Sequence, residues 1–365
     1  MQNFFYYIVE PVNPSIGFFC HAAIGTGGFL PVPESERSAF ARRIRGVQAG
    51  KANATRAFSA GLMVRKAGFR KAVLARFLLT CYTERAMKEK AFRTSCGIIR
   101  YWVSTESEAT APQLVFLPRL TADHRLFGKQ LAHFEGRYPV LVWDAPGHGA
   151  SRPFELTFAP QDKADWLEEI LRREGFASPV IVGQSMGGYV GQMYAQRFPH
   201  RILGFVSIDS APLARSYMTA AEIWLLKRME PVYRFYPWKL LVRTGTNGVA
   251  VSPDGRRLMR DMMATYDGDH AYYAKLAGHG YRMLAGAVEA GLPYEIPCPA
   301  LLICGEKDRA GSCIRYNKAW HRKTGIPIAW IPGAGHNSNT DDPDTVNRLI
   351  GDFVRTCAAE RAGNA

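Results

Sequence analysis

The most informative feature of the sequence is the pentapeptide Gly183-Gln184-Ser185-Met186-Gly187. An apolar run, Pro179-Val180-Ile181-Val182, precedes it and is typical of a buried strand. The residues that follow, Gly188 to Ala195, favour a helix. The pattern therefore predicts a strand, a sharp turn that carries a serine, and a helix. Glycine two residues before and two residues after the serine would let the strand and helix backbones approach closely.

Strands and helices alternate on both sides of this pentapeptide. A hairpin is predicted around Cys96-Gly97, from strands at Ala91–Ser95 and Ile98–Ser104. The other predicted elements are strands at Leu114–Leu117, Pro139–Trp143, Ile202–Ile208, Pro299–Cys304 and Pro327–Ile331, and helices at Arg125–Phe134 and Asp162–Arg173. Such alternation indicates the α/β class, a mainly parallel sheet with helices on both faces.

The alternation stops between Ala211 and Pro297. This segment is rich in helix formers and in aromatic residues, so we expect a helical insertion between two strands. Aromatic side chains in such an insertion serve either as ordinary packing or as the apolar lid of a pocket. The sequence leaves both roles open.

Residues 1–86 differ in composition from the rest of the chain. They hold twelve Lys and Arg residues against four Glu, and Phe4–Val32 shows no sustained period. Ala60–Thr80 has the separate apolar and basic sides of an amphipathic helix, which would lie on a membrane or bind a partner. The alternative is that this segment is disordered or follows from a start codon assigned too early, with Met87 as the natural beginning of the next domain.

Four motifs together resemble those of the α/β-hydrolase family, in the order serine, acid, histidine. They are Gly183–Gly187, the loop Asp144–Ser151, Gly305-Glu306-Lys307-Asp308 after one strand, and Gly333-Ala334-Gly335-His336 after the last strand. The resemblance implies an eight-stranded, mainly parallel sheet flanked by helices, with a helical cap inserted. It divides the chain into a core at residues 87–210 and 298–357, a cap at 211–297 and a tail at 358–365.

The chemistry of that family needs three side chains, and each has a candidate here. Ser185 would be the nucleophile, which is weak until a base accepts its proton. His336 would be that base, and Asp308 would hold the second ring nitrogen and stabilise the imidazolium. Asp209, at the end of an earlier strand, is the alternative acid, because some members of the family supply the acid from that strand. Its other role would be a turn or helix cap.

The negative oxygen that forms during the reaction needs backbone donors. The Met186 amide, at the start of the helix after the serine, would be one of these donors. The Leu120 amide, in the loop after Leu114–Leu117, would be the other. The family usually has a glycine-containing pair in that loop, whereas this chain has Arg119. Arginine is unfavourable if that position needs a positive φ, but its side chain would alternatively reach an acidic substrate group or turn to solvent.

Composition narrows the remaining possibilities. The seven cysteines show no C-x-x-C spacing, so neither a zinc site nor a redox dithiol is indicated, and reduced thiols fit a cytoplasmic protein. No segment has the run of about 18 apolar residues that a membrane-spanning helix needs. The net charge of +14 is interpreted as a solvated basic surface, because no module typical of nucleic-acid binding accompanies it.

The predicted function is that of a cytoplasmic serine hydrolase which acts on a small-molecule ester or thioester with an apolar acyl part, through an acyl-enzyme. It needs no cofactor and no metal, and we expect neither a nucleic-acid partner nor a membrane-spanning segment. Two alternatives stay open: a non-hydrolytic ligand-binding protein, and an acyltransferase or C–C bond hydrolase with the same three side chains. The sequence carries no signal for the oligomeric state.

Overall fold

The computed structural model describes three strands near the N-terminus together with residues 87–104 and 111–363. The chain divides into two compact units, residues 1–75 and 76–365. In the first unit, β1 (Tyr6–Glu10), β2 (Phe19–Ile24) and β3 (Gly28–Pro31) form an antiparallel sheet in that order. The sequence shows no sustained period over Phe4–Val32, and these three strands were not predicted from it. The helix predicted at Ala60–Thr80 lies outside the described residues.

The second unit contains an eight-stranded sheet. Its strands are β4 (Met87–Arg93), β5 (Ile98–Ser104), β6 (Leu114–Leu117), β7 (Val140–Trp143), β8 (Val180–Gln184), β9 (Gly204–Ile208), β10 (Ala300–Gly305) and β11 (Ile328–Ile331). They are ordered β11-β10-β9-β8-β6-β7-β5-β4 across the sheet. Strands β6 to β11 pair in parallel, whereas β5 pairs antiparallel with both β4 and β7. The predicted fold class, a mainly parallel eight-stranded sheet, is confirmed.

The central strands are apolar along their whole length because both faces of the sheet are covered. All residues of β6, β7 and β8 are buried. Side chains alternate between two apolar layers, as the two-residue period of a strand requires. On β6, for example, Val115 and Leu117 pack in one layer, and Leu114 and Phe116 pack in the other.

Helices cover both faces of this sheet. They are α1 (Gly128–Phe134), α2 (Pro160–Arg173), α3 (Met186–Arg197), α9 (Cys313–Thr324), α10 (Ser338–Asp341) and α11 (Pro343–Gly363). The apolar layer of Val115 includes residues of α2, α3 and α9, and the layer of Leu114 includes residues of α1 and α11. Helix α11 continues to Gly363, through most of the segment 358–365 that the sequence separates as a tail.

Five helices stand between β9 and β10. They are α4 (Ala220–Leu226), α5 (Met229–Phe235), α6 (Trp238–Val249), α7 (Pro253–Ala264) and α8 (His270–Glu289). Helix α8 reaches the loop after β6, where Tyr273 Oη donates to Thr121 Oγ1 over 3.4 Å. The helical segment therefore lies over the carboxyl ends of the central strands. None of the helices that the structure describes is both long and apolar enough to span a bilayer.

Candidate active site

Ser185 occupies a strained turn between β8 and α3. Its φ of 51° and ψ of −115° lie in a region that residues other than glycine rarely adopt. The flanking glycines are required by space, as the sequence predicts. A Cβ on Gly183 would stand 2.5 Å from the backbone of Gly187, and a Cβ on Gly187 would stand 1.8 Å from the Leu117 carbonyl oxygen. The close approach of these backbones holds the serine in the tight turn between the end of β8 and the start of α3.

His336 links the serine to a carboxylate. Its Nε2 lies 2.9 Å from Ser185 Oγ, and its Nδ1 lies 2.8 Å from Asp308 Oδ2. Although 151 positions separate the serine and the histidine in sequence, β8 and the loop after β11 bring them together. Both His336 and Asp308 are buried. A carboxylate only accepts hydrogen bonds, so the neutral imidazole carries its proton on Nδ1. Its Nε2 then has a free lone pair and can accept the serine proton.

The loop that carries His336 is held from three sides. Asp341 accepts a hydrogen bond from the Gly335 amide over 2.8 Å. The Asn337 amide donates to the Val249 carbonyl at the end of α6 over 2.7 Å, and the Gln184 side chain donates to the His336 carbonyl. These bonds fix the backbone on both sides of the imidazole. Because the imidazole is already held in position, orienting the base costs little free energy when the reaction begins.

The charge state of Asp308 suits its position beside the imidazole. Burial alone would raise the pKa of this carboxyl. The charge and hydrogen bond of His336 outweigh burial, with help from Cys313 and the Ala310 amide, so that the pKa lies below its usual value. The group is therefore ionised near neutral pH. An ionised carboxylate stabilises an imidazolium at His336.

Asp209, the alternative acid, does not contact His336. Its φ is 46°, and its two carboxylate oxygens accept hydrogen bonds from the Gly305 amide over 2.8 Å and from the Ser338 amide and hydroxyl over 2.9 and 2.7 Å. The structure thus brings Asp308, and not Asp209, to the histidine. Asp209 instead ties the end of β10 to the start of α10.

The side chains of Leu120 and Met186, whose amides are the two expected donors, both approach one residue of α8. A Cβ on Gly280 of α8 would meet Leu120 Cδ1 at 2.5 Å and Met186 Sδ at 3.2 Å. Within the described residues, neither the Leu120 amide nor the Met186 amide donates a hydrogen bond to the protein. Met186 also begins α3, so the partial positive charge of a helix N-terminus adds to its amide. Two unused donors near the serine can stabilise a developing oxyanion.

Arg119 departs from the family pattern, and its backbone tolerates the change. Its φ is not among the positive values, whereas Thr121, two residues later, has a φ of 62°. In this loop Thr121, and not Arg119, therefore adopts the left-handed backbone conformation. The Arg119 side chain does not turn freely to solvent, because Nη1 donates to Asn337 Oδ1 over 3.3 Å and contacts Met259 Sδ over 3.7 Å.

Several supporting residues escape sequence reasoning. Asn337, Gln184 and Asp341 all hold or adjoin His336. Asn337 and Asp341 belong to no recognisable motif, and Gln184 lies in the serine pentapeptide without a predicted role for its side chain. Asn337 is adjacent to His336 in sequence, and that adjacency is the only signal that would have drawn attention to it.

Two groups of described side chains bring three potential metal ligands within 4.8 Å of one another. They are Cys304, Asp308 and Cys313, and Asp123, His124 and Asp144. In the second group, Asp144 accepts hydrogen bonds from the His124 and Ala150 amides over 2.7 and 2.6 Å. In the first, Asp308 is engaged by His336 and Ala310. Protein donors already use these carboxylates, so we assign neither group to a metal.

The chain is similar to characterised proteins over most of this second unit. The model of the alpha/beta hydrolase family matches residues 109–349. The chain is 20% identical over 273 residues to 2-(acetamidomethylene)succinate hydrolase of Mesorhizobium japonicum. The aligned region covers 70% of this chain and 92% of the relative. It is 27% identical over 235 residues to the magnesium-chelatase 30 kDa subunit of Rhodobacter capsulatus, covering 61% and 80%. A solved thermophilic esterase from Thermogutta terrifontis has a TM-score of 0.60 at 20% identity, covering 74% and 98%.

Proposed function

Because the chain belongs to the alpha/beta hydrolase family, we propose that it is a serine hydrolase that cleaves an ester or thioester through an acyl-enzyme. The observation that carries this proposal is the unbroken series of hydrogen bonds from Ser185 through His336 to Asp308, at 2.9 and 2.8 Å. Such a series is what a serine needs in order to become a nucleophile.

The reaction would proceed in two displacements. Ser185 Oγ attacks the substrate carbonyl carbon while His336 Nε2 accepts the hydroxyl proton. The carbonyl electrons move to the oxygen, and the Leu120 and Met186 amides stabilise that charge. When the tetrahedral intermediate collapses, the bond to the leaving alcohol or thiol breaks and His336 returns the proton to that group. Water, deprotonated by the same nitrogen, then releases the acid and restores Ser185.

Part of the acyl group of the substrate would pack against an apolar wall. The helical segment contains a cluster of aromatic side chains on α5 and α8, and α8 contacts Leu120 and Met186 through Gly280. Tyr233 and Tyr281 stack with ring centroids 5.9 Å apart and share a hydrogen bond of 3.1 Å, and Tyr233 also packs edge-on against Tyr273. This arrangement supports the lid function for the insertion at 211–297, because apolar and aromatic walls are usual in small-molecule sites.

A second candidate function has a specific observation in its favour. One of the relatives is named as a magnesium-chelatase subunit and not as a hydrolase. The chain would then bind a ligand in the same pocket without turning it over. The serine relay argues for the hydrolase, since a strained serine with a buried base has no evident use in a protein that only binds.

Covalent labelling separates the two functions. A fluorophosphonate probe is expected to label the folded wild-type protein, and Ser185→Ala is expected to abolish labelling while leaving the melting temperature close to that of the wild type. Hydrolysis of p-nitrophenyl esters of increasing acyl length would then define the acyl preference. Absence of labelling in folded wild-type protein would rule out the hydrolase and leave the ligand-binding function.

A further inference from the structure

The side chain of Arg119 has unused hydrogen-bonding capacity beside the candidate nucleophile. Its Nη1 donates to Asn337 Oδ1 over 3.3 Å, but its Nε is buried and has no partner among the described residues. The Nδ2 group of Asn337 is likewise buried and without a partner there, and Asn337 is only 1% exposed. Two donor groups thus lie together with nothing to receive their hydrogens. Buried donors without acceptors are rare and costly in native proteins.

The positive charge of Arg119 is also without a counter-charge. No aspartate or glutamate in the described part of the chain forms an ion pair with it. Its surroundings are Met259, whose sulfur it contacts, and the phenols Tyr233 and Tyr273. Burial raises the pKa of both phenols and the Arg119 charge opposes that rise, so they remain neutral and cannot compensate it. A guanidinium in such surroundings favours an anion that enters from solution.

The position of these donors relates them to the reacting atoms. Arg119 immediately precedes Leu120, whose amide would hold the oxyanion, and Asn337 immediately follows His336. A ligand bound to both side chains would therefore be held by the residues that adjoin the proposed oxyanion donor and the base in sequence.

We propose that Arg119 and Asn337 bind a carboxylate on the acyl part of the substrate. The preferred substrates are then esters or thioesters of dicarboxylic acids, with one carboxyl group esterified and the other free. The inference rests on the proposed hydrolase function. A carboxylate fits better than a phosphate because the site offers two adjacent free donor groups, which match two oxygens, whereas a dianionic phosphate presents three.

A pair of chromogenic substrates tests this inference. The p-nitrophenyl monoester of glutaric acid and its methyl-capped diester differ by the free carboxylate alone. The wild-type protein is expected to favour the charged ester by about 10- to 100-fold in kcat/KM, and in Arg119→Gln the ratio of the two kcat/KM values should fall close to one. Arg260→Gln is the matched control, since Arg260 is exposed on the same helix as Met259 and should leave the preference unchanged. Equal rates on both esters in the wild type would overturn the inference and leave the hydrolase proposal intact.

A binding measurement keeps the test independent of catalysis. Glutarate is expected to raise the melting temperature of the wild-type protein and of Ser185→Ala, but not that of Arg119→Gln. Inorganic phosphate at the same concentration should have a much smaller effect. A shift that persists in Arg119→Gln, or an equal shift with phosphate, would contradict a carboxylate site at these residues. If neither ester is hydrolysed although glutarate binding depends on Arg119, the hydrolase proposal fails and the binding site stands.

Discussion

Gly280 of α8 lies directly against Leu120, and a Cβ at position 280 would stand 2.5 Å from Leu120 Cδ1. The same Cβ would lie 3.2 Å from Met186 Sδ. The two residues proposed to hold the oxyanion therefore share one neighbour on the inserted helix. Leu120 lies in the loop after β6. The position of α8 can therefore affect the conformation of the loop that carries one proposed oxyanion donor.

Gly280→Ala is expected to lower kcat by roughly tenfold with little change in stability. The added methyl meets the ends of flexible side chains, so the fold can adjust. We expect the shift of the Leu120 side chain to displace its amide slightly. Loss of a whole oxyanion donor typically costs about 10²–10³ in rate, and a displaced donor should cost less. Gly286→Ala on the same helix is the control, because a Cβ there meets nothing within 4 Å. An unchanged kcat in Gly280→Ala would show that α8 does not govern the oxyanion donors.

Gly187→Ala should prevent stable folding or destabilise the protein by about 3 kcal/mol or more, since the new Cβ would lie 1.8 Å from the Leu117 carbonyl oxygen. Backbone atoms cannot move aside as a side chain can. Gly128→Ala provides the comparison, because a Cβ at that helical position has open space and an ordinary φ. Urea unfolding of both variants measures the difference. A similar midpoint for Gly187→Ala and the wild type would contradict the close approach of α3 to the end of β6.

The positions of the strands were largely predictable because the central strands are buried on both faces. Such strands are continuous apolar runs, and Leu114–Leu117 has the same limits in sequence and structure. The edge strand was harder to delimit. β4 begins at Met87 and not at Ala91, because its polar residues are exposed at the sheet edge and so leave no apolar run.

The candidate site was predictable only where a motif marks it. Ser185, Asp308 and His336 each follow a predicted strand, and their hydrogen bonds agree with the predicted order. The contact of Arg119 with Asn337 joins residues 218 positions apart and depends on how two loops fold. Likewise, the sequence could not show that Thr121 takes the left-handed backbone conformation and thereby frees Arg119 from it. Such contacts between loops have no periodicity to reveal them.

Asp308→Asn is expected to reduce kcat by roughly 10³- to 10⁴-fold while the protein remains folded, because an amide cannot enforce the tautomer of His336 that accepts the serine proton. Asp209→Asn should mainly destabilise. The amide keeps only one oxygen, so the buried donors on one side, either Gly305 or Ser338, would face an NH2 group and lose their acceptor, at a cost of about 1–3 kcal/mol. Steady-state kinetics and thermal melts distinguish the two. A deeper loss of kcat in Asp209→Asn would assign the acid to the earlier strand after all.

Lys163→Met is expected to stabilise the protein near pH 7 but not near pH 10.5. Lys163, on α2, is 3% exposed and forms no ion pair within the described residues. The titratable side chains that face Lys163 carry no negative charge to compensate its ammonium group. Burial, with the Lys163 charge as a further cause, lowers the pKa of His148 and of His279 to about 3, so both rings are neutral.

Burial lowers the pKa of the Lys163 ammonium to about 8, against about 10.4 in an unfolded chain. The folded state therefore binds this proton more weakly than the unfolded state. The resulting loss of stability is complete below pH 8, at most about 3 kcal/mol, and disappears as the pH rises from 8 towards 10.4. Urea midpoints of the wild type and Lys163→Met should thus converge at high pH, whereas Arg172→Met, which replaces an exposed cation on the same helix, should show no such convergence. A constant difference between wild type and Lys163→Met across this range would show that Lys163 is not buried as a charge.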